Sequence, residues 1–316
     1  MAGELGAPVQ SGRREQRLAV LAVVSAVLMW GYSPVAIKSI STSGLVTAFY
    51  RLWFAIPFLW LGVLATPRMR RGLSRDWLLG SVLGGTAFGL HQLCFFYALN
   101  LTTIANVTII GSLQPVLILL VAAPLFGEST TLRSLLMSLV ALAGTGLVVF
   151  GSVDEAQAGG LGDVLAVGNL LAFTAYFLIS KRVRQAVGTT EYVVGMTTTS
   201  GLVIAFANLA SGQDLASPSS LDLVVIASLA VFPGTLGHVL TNWAHAHTTA
   251  LRISMIMLAA PVVATASAAV FLDEPVTLLQ ALGFLVVLSS IAVVVAGTGG
   301  DTPEELAESA ARTDAP

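Results

Sequence analysis

The chain has 316 residues, of which 55% are hydrophobic and 10% are charged, and its formal net charge at pH 7 is -2. A soluble domain carries roughly 25% charged residues, so this composition excludes a protein that presents a hydrated surface on all sides. The mean hydropathy is +0.85, and the long runs are apolar throughout, which favours helices over the alternating strands of a barrel. The sequence therefore predicts an all-α integral membrane protein.

Charged residues, Pro, Gly and Ser divide the chain into ten apolar spans. Each is close to the roughly 20 residues that cross a hydrocarbon core of about 30 Å as a helix. The predicted spans are 18–37, 45–66, 77–99, 103–126, 132–151, 161–180, 191–211, 221–244, 250–272 and 277–297. We expect a basic cytoplasmic segment at 1–17, a linker at 152–160, and a disordered acidic cytoplasmic tail at 298–316.

The positive charges predict an orientation. If the spans alternate in direction, the basic clusters at 13–17, 68–75 and 181–184 all fall on one side, together with Arg133 and Arg252. The other side receives only Lys38 and Arg51. Since excess Lys and Arg in short loops mark the cytoplasmic side, we expect both termini in the cytoplasm. The expected location is the inner (plasma) membrane, as a multi-pass protein.

The chain also contains an internal duplication. Residues 74–151 overlay residues 220–297 without a gap, at an offset of 146, with 22 of 78 positions identical. The overlay pairs Pro115 with Pro261 and Glu128 with Glu274, and at an offset of 143 the earlier spans pair Lys38 with Lys181. Each copy, 18–151 and 161–297, holds five spans, an odd number, so the copies must enter the membrane from opposite sides. The fold expected is ten transmembrane helices arranged as two inverted five-helix repeats.

Four segments carry a resemblance to a known family. They are WGYSPVAIK (30–38), FYR (49–51), QPVLILLVAAPLFGEST (114–130) and its copy APVVATASAAVFLDEPVT (260–277). The pattern resembles the drug/metabolite transporter superfamily, in its ten-span branch with two EamA-type repeats. The resemblance implies secondary transport, often efflux of an amino acid, a drug-like compound or another metabolite, by alternating access around a central cavity. It does not identify the cargo.

Arg51, inside the second span, is the first candidate for that cavity. A guanidinium at mid-membrane costs at least about 2.5–3.5 kcal/mol, so the side chain either faces the bundle, where it could clamp a carboxylate, or snorkels to the interface. Trp30 and Tyr32 lie beside Pro34 in the first span. A kink there would make them a cavity wall, and ordinary core packing is the alternative.

Corresponding spans of the two copies carry further polar candidates. His91 and Gln92 lie in the third span, and His238, Asn242 and Trp243 lie in the eighth, with Tyr176 in the sixth. His238 and Asn242 are four residues apart and share a helix face. They could line the cavity, where a His could carry a coupling proton, or they could form hydrogen bonds between helices.

Two matched pairs are candidates for gating or capping. Glu128 and Glu274 close equivalent spans at opposite faces, and Pro115 and Pro261 are expected to break their spans at matched depths. No GxxxxGK[ST] loop is present, so ATP does not drive this chain directly. His245 and His247 have no Cys or carboxylate close by in the sequence, so we expect no metal site and no cofactor.

We therefore expect a secondary transporter and not an enzyme. The expected partners are a small-molecule substrate, the lipid bilayer and a proton as one alternative for the coupling ion. We expect no nucleic-acid partner, and the sequence leaves open whether the chain forms a homodimer. The competing hypotheses are a non-transporting membrane scaffold and an intramembrane enzyme. The enzyme would need clustered ionisable groups at one depth, and the scaffold would need no polar interior.

Overall fold

A computed structural model describes residues 13–102, 104–128, 131–150, 160–216 and 218–297. The expected N-terminal segment 1–17, the linker 152–160 and the tail 298–316 lie outside the described residues, apart from residues 13–17 and 160. Within the described ranges, every regular element is helical. The all-α class predicted from composition is confirmed.

Fourteen helices and one π-helical segment make up the described chain. The first repeat contains α1 (Arg13–Lys38), α2 (Gly44–Ala65), the short α3 (Pro67–Arg71), α4 (Arg75–Leu101), α5 (Ile104–Gly111), α6 (Gln114–Phe126) and α7 (Leu132–Phe150). The second contains α8 (Leu161–Val183), α9 (Thr189–Ala210), α10 (Ser220–Leu229), the π-helical segment (Ala230–Leu236), α11 (Gly237–His245), α12 (Ala250–Met257), α13 (Ala260–Phe271) and α14 (Leu278–Gly297).

These helices form the ten predicted spans. In the described residues, nine helical stretches are long and apolar enough to cross a membrane, and a shorter apolar stretch at Asn106–Ala122 belongs to the fourth span. Large apolar side chains cover the outside of the bundle, since Phe58, Phe206 and Leu278 are 75%, 74% and 78% exposed. Such a surface is stable against lipid and not against water.

Two spans are broken at equivalent positions. The fourth divides between α5 and α6 after Gly111, and the ninth divides between α12 and α13 after Met257. Each second half begins one residue before a proline, Pro115 or Pro261. Proline has no N–H to donate and its ring excludes the preceding helical turn, so it sits best where a helix starts. The matched breaks therefore follow from the duplicated prolines.

The most extensive contacts join one repeat to the other in a two-fold pattern. In one direction α1 packs against α11, α12 and α13, and in the other α8 packs against their counterparts α4, α5 and α6. The equivalent helices α2 and α9 contact each other, as do α7 and α14. The interface between the repeats is thus the interior of the bundle, and polar groups facing inward meet there.

Gly85 on α4 allows one of these close contacts. A Cβ at this position would lie 2.5 Å from the Met196 carbonyl oxygen and 2.5 Å from Thr199 Cβ on α9. Real Cβ atoms do not approach a backbone oxygen so closely, so a larger residue would force α4 and α9 apart.

Gly85→Ala is expected to lower the stability of the purified protein by about 1–3 kcal/mol, as overpacking does. Gly146→Ala on α7 is the matched control, because a Cβ there meets no atom within 4 Å. The measurement is the thermal unfolding midpoint of both variants in the same detergent. Equal midpoints would contradict the tight α4–α9 contact.

Candidate functional site

A small cavity lies between the repeats, at the middle of the bundle. It measures about 10 Å³, and its lining comprises Arg51, Leu52, Ala55, Phe88, Thr197, Gly234 and His238. A cavity of roughly 10–15 Å³ holds one water molecule. This cavity has room for about one water molecule, so an organic solute there would require the surrounding helices to move apart.

Arg51 points into this interior. Its Nη2 donates to Gln92 Oε1 at 2.6 Å, and Gln92 Nε2 donates to Ser200 Oγ at 3.2 Å. The chain of bonds joins α2, α4 and α9, so the guanidinium lies among the helices and does not snorkel to the interface. Ser200 was not singled out by the sequence, because a serine in a TTTS run has no feature that separates it from a small packing residue.

His238 belongs to a second polar group beside the same cavity. Asn242 Nδ2 donates to the Tyr176 hydroxyl at 2.9 Å and to the His238 carbonyl at 2.9 Å, and the hydroxyl lies 3.4 Å from His238 Nδ1. The shared face predicted for His238 and Asn242 is thus present, with Tyr176 of α8 as their partner. His238 and Asn242 are 8% and 0% exposed.

Trp30 closes one side of this group. Its ring lies 5.3 Å from the His238 ring, and its Nε1 donates to the Pro233 carbonyl at 2.9 Å. Pro233 lies in the π-helical segment, and a proline together with a π turn leaves backbone carbonyls without helical partners. Trp30 supplies one such partner, which joins α1 to the eighth span.

Phe88 connects the two histidines. Its ring lies 4.7 Å from His238 and 5.6 Å from His91, and the His91 ring lies 4.5 Å from Phe173. His91 therefore packs behind Phe88 and does not line the cavity itself. The sequence carries no signal that distinguishes Phe88, because an aromatic residue in an apolar run is typical of any helical core.

Tyr32 and Trp243 do not line this cavity in the described residues. Tyr32 is 45% exposed, packs 5.4 Å from the Phe271 ring, and borders a separate apolar groove. Trp243 stacks on His247 at 4.1 Å. Each residue on a helix is rotated by about 100° from the one before it, so Trp243 points about 100° away from Asn242, and Tyr32, two residues after Trp30, points about 200° away from it.

Glu128 forms a buried polar contact at one end of the bundle. Its Oε1 lies 3.3 Å from Lys181 Nζ, and the two side chains are 10% and 12% exposed. Both carboxylate oxygens accept from the Ala250 N–H, at 2.9 and 3.0 Å, at the first residue of α12. Lys181 also donates to the Thr248 carbonyl. A carboxylate at a helix N-terminus satisfies free N–H groups and interacts favourably with the helix dipole.

Lys38 and Glu274 form an ion pair at the other end. The pair is the symmetry counterpart of the first, since the repeat relates Lys38 to Lys181 and Glu274 to Glu128. Each pair joins one repeat to the other. Their surroundings differ, because the Lys38 and Glu274 side chains are 59% and 49% exposed. In the sequence, Lys181 stands in a basic cluster and is the counterpart of Lys38. The two overlays show that the residues are equivalent, and the structure shows which Lys meets which Glu.

Arg184 lies at the same end of the bundle as Glu128 and bonds the backbone of Asn242. It follows the last residue of α8, is 8% exposed, and donates from Nε to the Asn242 carbonyl at 3.0 Å. Burial lowers the pKa of Arg184 to about 10, so its guanidinium stays charged at neutral pH. Asn242 therefore bonds Tyr176 through its side chain and the Arg184 guanidinium through its backbone carbonyl.

Comparison with known proteins agrees with this architecture. A solved structure described as "Crystal structure of protein" superposes with a TM-score of 0.77, covering 87% of this chain and 96% of that chain at 20% identity. At that identity the likeness shows the fold alone. No match was found among curated proteins. The model of the EamA-like transporter family matches twice, at residues 17–150 and 160–296. Because these two matches cover most of the sequence, the chain belongs to the EamA-like transporter family and carries its domain twice.

Proposed function

We propose that the protein is a secondary transporter that exports a small organic metabolite across the inner membrane by alternating access between its two repeats. The observation that supports this most directly is the pair of symmetry-related Lys–Glu contacts in unlike surroundings. One is buried and bound to a helix start, and the other is exposed. Two equivalent halves held in two different states are what an alternating-access cycle requires.

The second state follows from exchanging the conformations of the two repeats. In that state Lys38 and Glu274 would be buried, and Glu274 would reach the start of α5, the counterpart of the start of α12. Lys181 and Glu128 would separate and become accessible. An ion pair loses hydration when it is buried and regains it when it opens. The free-energy difference between the two conformations would therefore be small. Each pair would then close one end of the cavity in turn.

The distribution of Lys and Arg assigns the Glu128 end to the cytoplasm. The described conformation would then be sealed towards the cytoplasm, with the contents of the cavity nearer release on the outer side. Cargo would bind at the centre, against Arg51, Gln92, His238, Tyr176 and Asn242. His238 is our candidate for carrying a coupling proton, since imidazole titrates close to neutral pH when it is hydrated.

Transport should be measurable in everted membrane vesicles, in which export becomes uptake. We expect uptake of at least one solute from a panel of labelled amino acids, organic acids, sugars and drugs, and faster uptake when a proton gradient is applied. Vesicles from cells without the protein are the control. Absence of flux for every solute would favour the scaffold hypothesis instead.

Charge exchange at the exposed pair tests the gating role. Lys38→Glu and Glu274→Lys are each expected to slow transport of the identified solute roughly fivefold or more, the range of a typical coupling free energy between two states. The double variant Lys38→Glu/Glu274→Lys should restore much of the rate, and Lys38→Arg should keep it.

The thermal midpoint separates gating from stability in these variants. An exposed ion pair contributes only about 0–1 kcal/mol, so all four variants should unfold close to the wild-type temperature. Glu128→Gln should unfold at a clearly lower temperature, because removing one partner of a buried pair costs about 3–5 kcal/mol. Normal transport by both single charge reversals would show that Lys38 and Glu274 serve only as helix-end anchors.

A further inference from the structure

The charges at the centre of the bundle narrow the chemical class of the cargo. We propose that the transported solute is an organic anion without a protonated amine, such as a carboxylate, and that it binds Arg51 as its counter-charge. The inference rests on the transport function proposed above. It excludes free amino acids and organic cations as the principal cargo.

Arg51 is the only fully ionised group at the cavity, among the residues that line it. The described residues place Gln92 Oε1, a neutral acceptor, at 2.6 Å from its Nη2. The ion pairs found in the described ranges involve Glu128 and Glu274, at the ends of the bundle, and not Arg51. A guanidinium has five N–H donors in a fork that fits a carboxylate. A solute with a carboxylate would supply the missing counter-charge.

In the part of the chain that the structure describes, the acidic residues lie in loops or in the first turn of a helix. None of the 17 acidic residues in the sequence falls within a span beyond its first helical turn. Those closest to a span interior, Asp163, Glu191 and Asp222, each lie in the first turn of their helix. An ammonium group on the cargo would therefore be buried beside Arg51 without an acidic partner. Burying an unpaired charge is strongly unfavourable.

The remaining polar groups at the cavity are neutral and several can donate. The Thr197 hydroxyl and the His238 ring line the cavity, and the Tyr176 hydroxyl and the Asn242 amide lie next to His238. Together with Arg51 they form a site that stabilises negative charge. The aromatic faces of Trp30 and Phe88 could attract a cation, and this is the alternative that the experiment must separate.

The test compares solutes accumulated outside cells that carry the wild-type chain, Arg51→Gln, Arg51→Lys or no transporter, by mass spectrometry of the medium. Solutes enriched by the wild type should carry net negative charge at pH 7 and no aliphatic amine. Arg51→Gln should reduce their enrichment roughly tenfold or more, as loss of one partner of a buried charge pair does, and Arg51→Lys should retain part of it. Arg182→Gln is the matched control, since Arg182 is exposed, and it should export normally.

The outcomes separate the two proposals. Enrichment of amines or neutral solutes, or full export by Arg51→Gln, would overturn the anionic cargo while leaving transport intact. Enrichment of no solute by the wild type would overturn both. Arg51→Gln keeps an amide that can bond Gln92, and its thermal midpoint and membrane abundance should match those of Arg51→Lys. A loss of export confined to Arg51→Gln would then reflect the charge and not the fold.

Discussion

Hydrocarbon offers no hydrogen-bond partners, and this constraint organises the whole molecule. A polar side chain within a span is therefore stabilised when it finds a partner inside the bundle. Some of those partners come from the other repeat, since Trp30 donates to Pro233 and Gln92 donates to Ser200, and others come from the same repeat, as Tyr176 does for Asn242. Part of the polar interior therefore lies between the two repeats.

Because the chain is duplicated, an equivalent Lys–Glu pair lies at each end of the bundle. The two Lys–Glu contacts are built from equivalent residues, yet only the one at Glu128 is buried and bound to a helix start. An exact two-fold structure would have to bury both or expose both. The two contacts share their Lys and Glu and differ in exposure, and this asymmetry is what the proposed alternating access uses.

Three helical spans are interrupted at or near a proline. Pro115 and Pro261 divide the fourth and ninth spans at matched positions, and Pro233 accompanies a π-helical segment beside the cavity. Each interruption shortens the rigid helical unit and frees carbonyl groups. Arg51 packs against Gly234 within that segment, so the only fully charged group lining the cavity lies beside one of the most irregular stretches of backbone.

The sequence by itself determined the helical class, the ten spans, the inverted duplication and the proline breaks. These depend on local apolar length, on the offset of 146 and on the backbone chemistry of proline, all of which can be counted along the chain. It also placed His238 and Asn242 on one face, because helical periodicity is local. Only the tertiary structure decided that Arg51 meets Gln92, that Tyr32 and Trp243 turn away, and that Lys181 binds Glu128. Those outcomes depend on how helices far apart in the chain rotate and pack against each other, and nothing in the local sequence specifies that rotation.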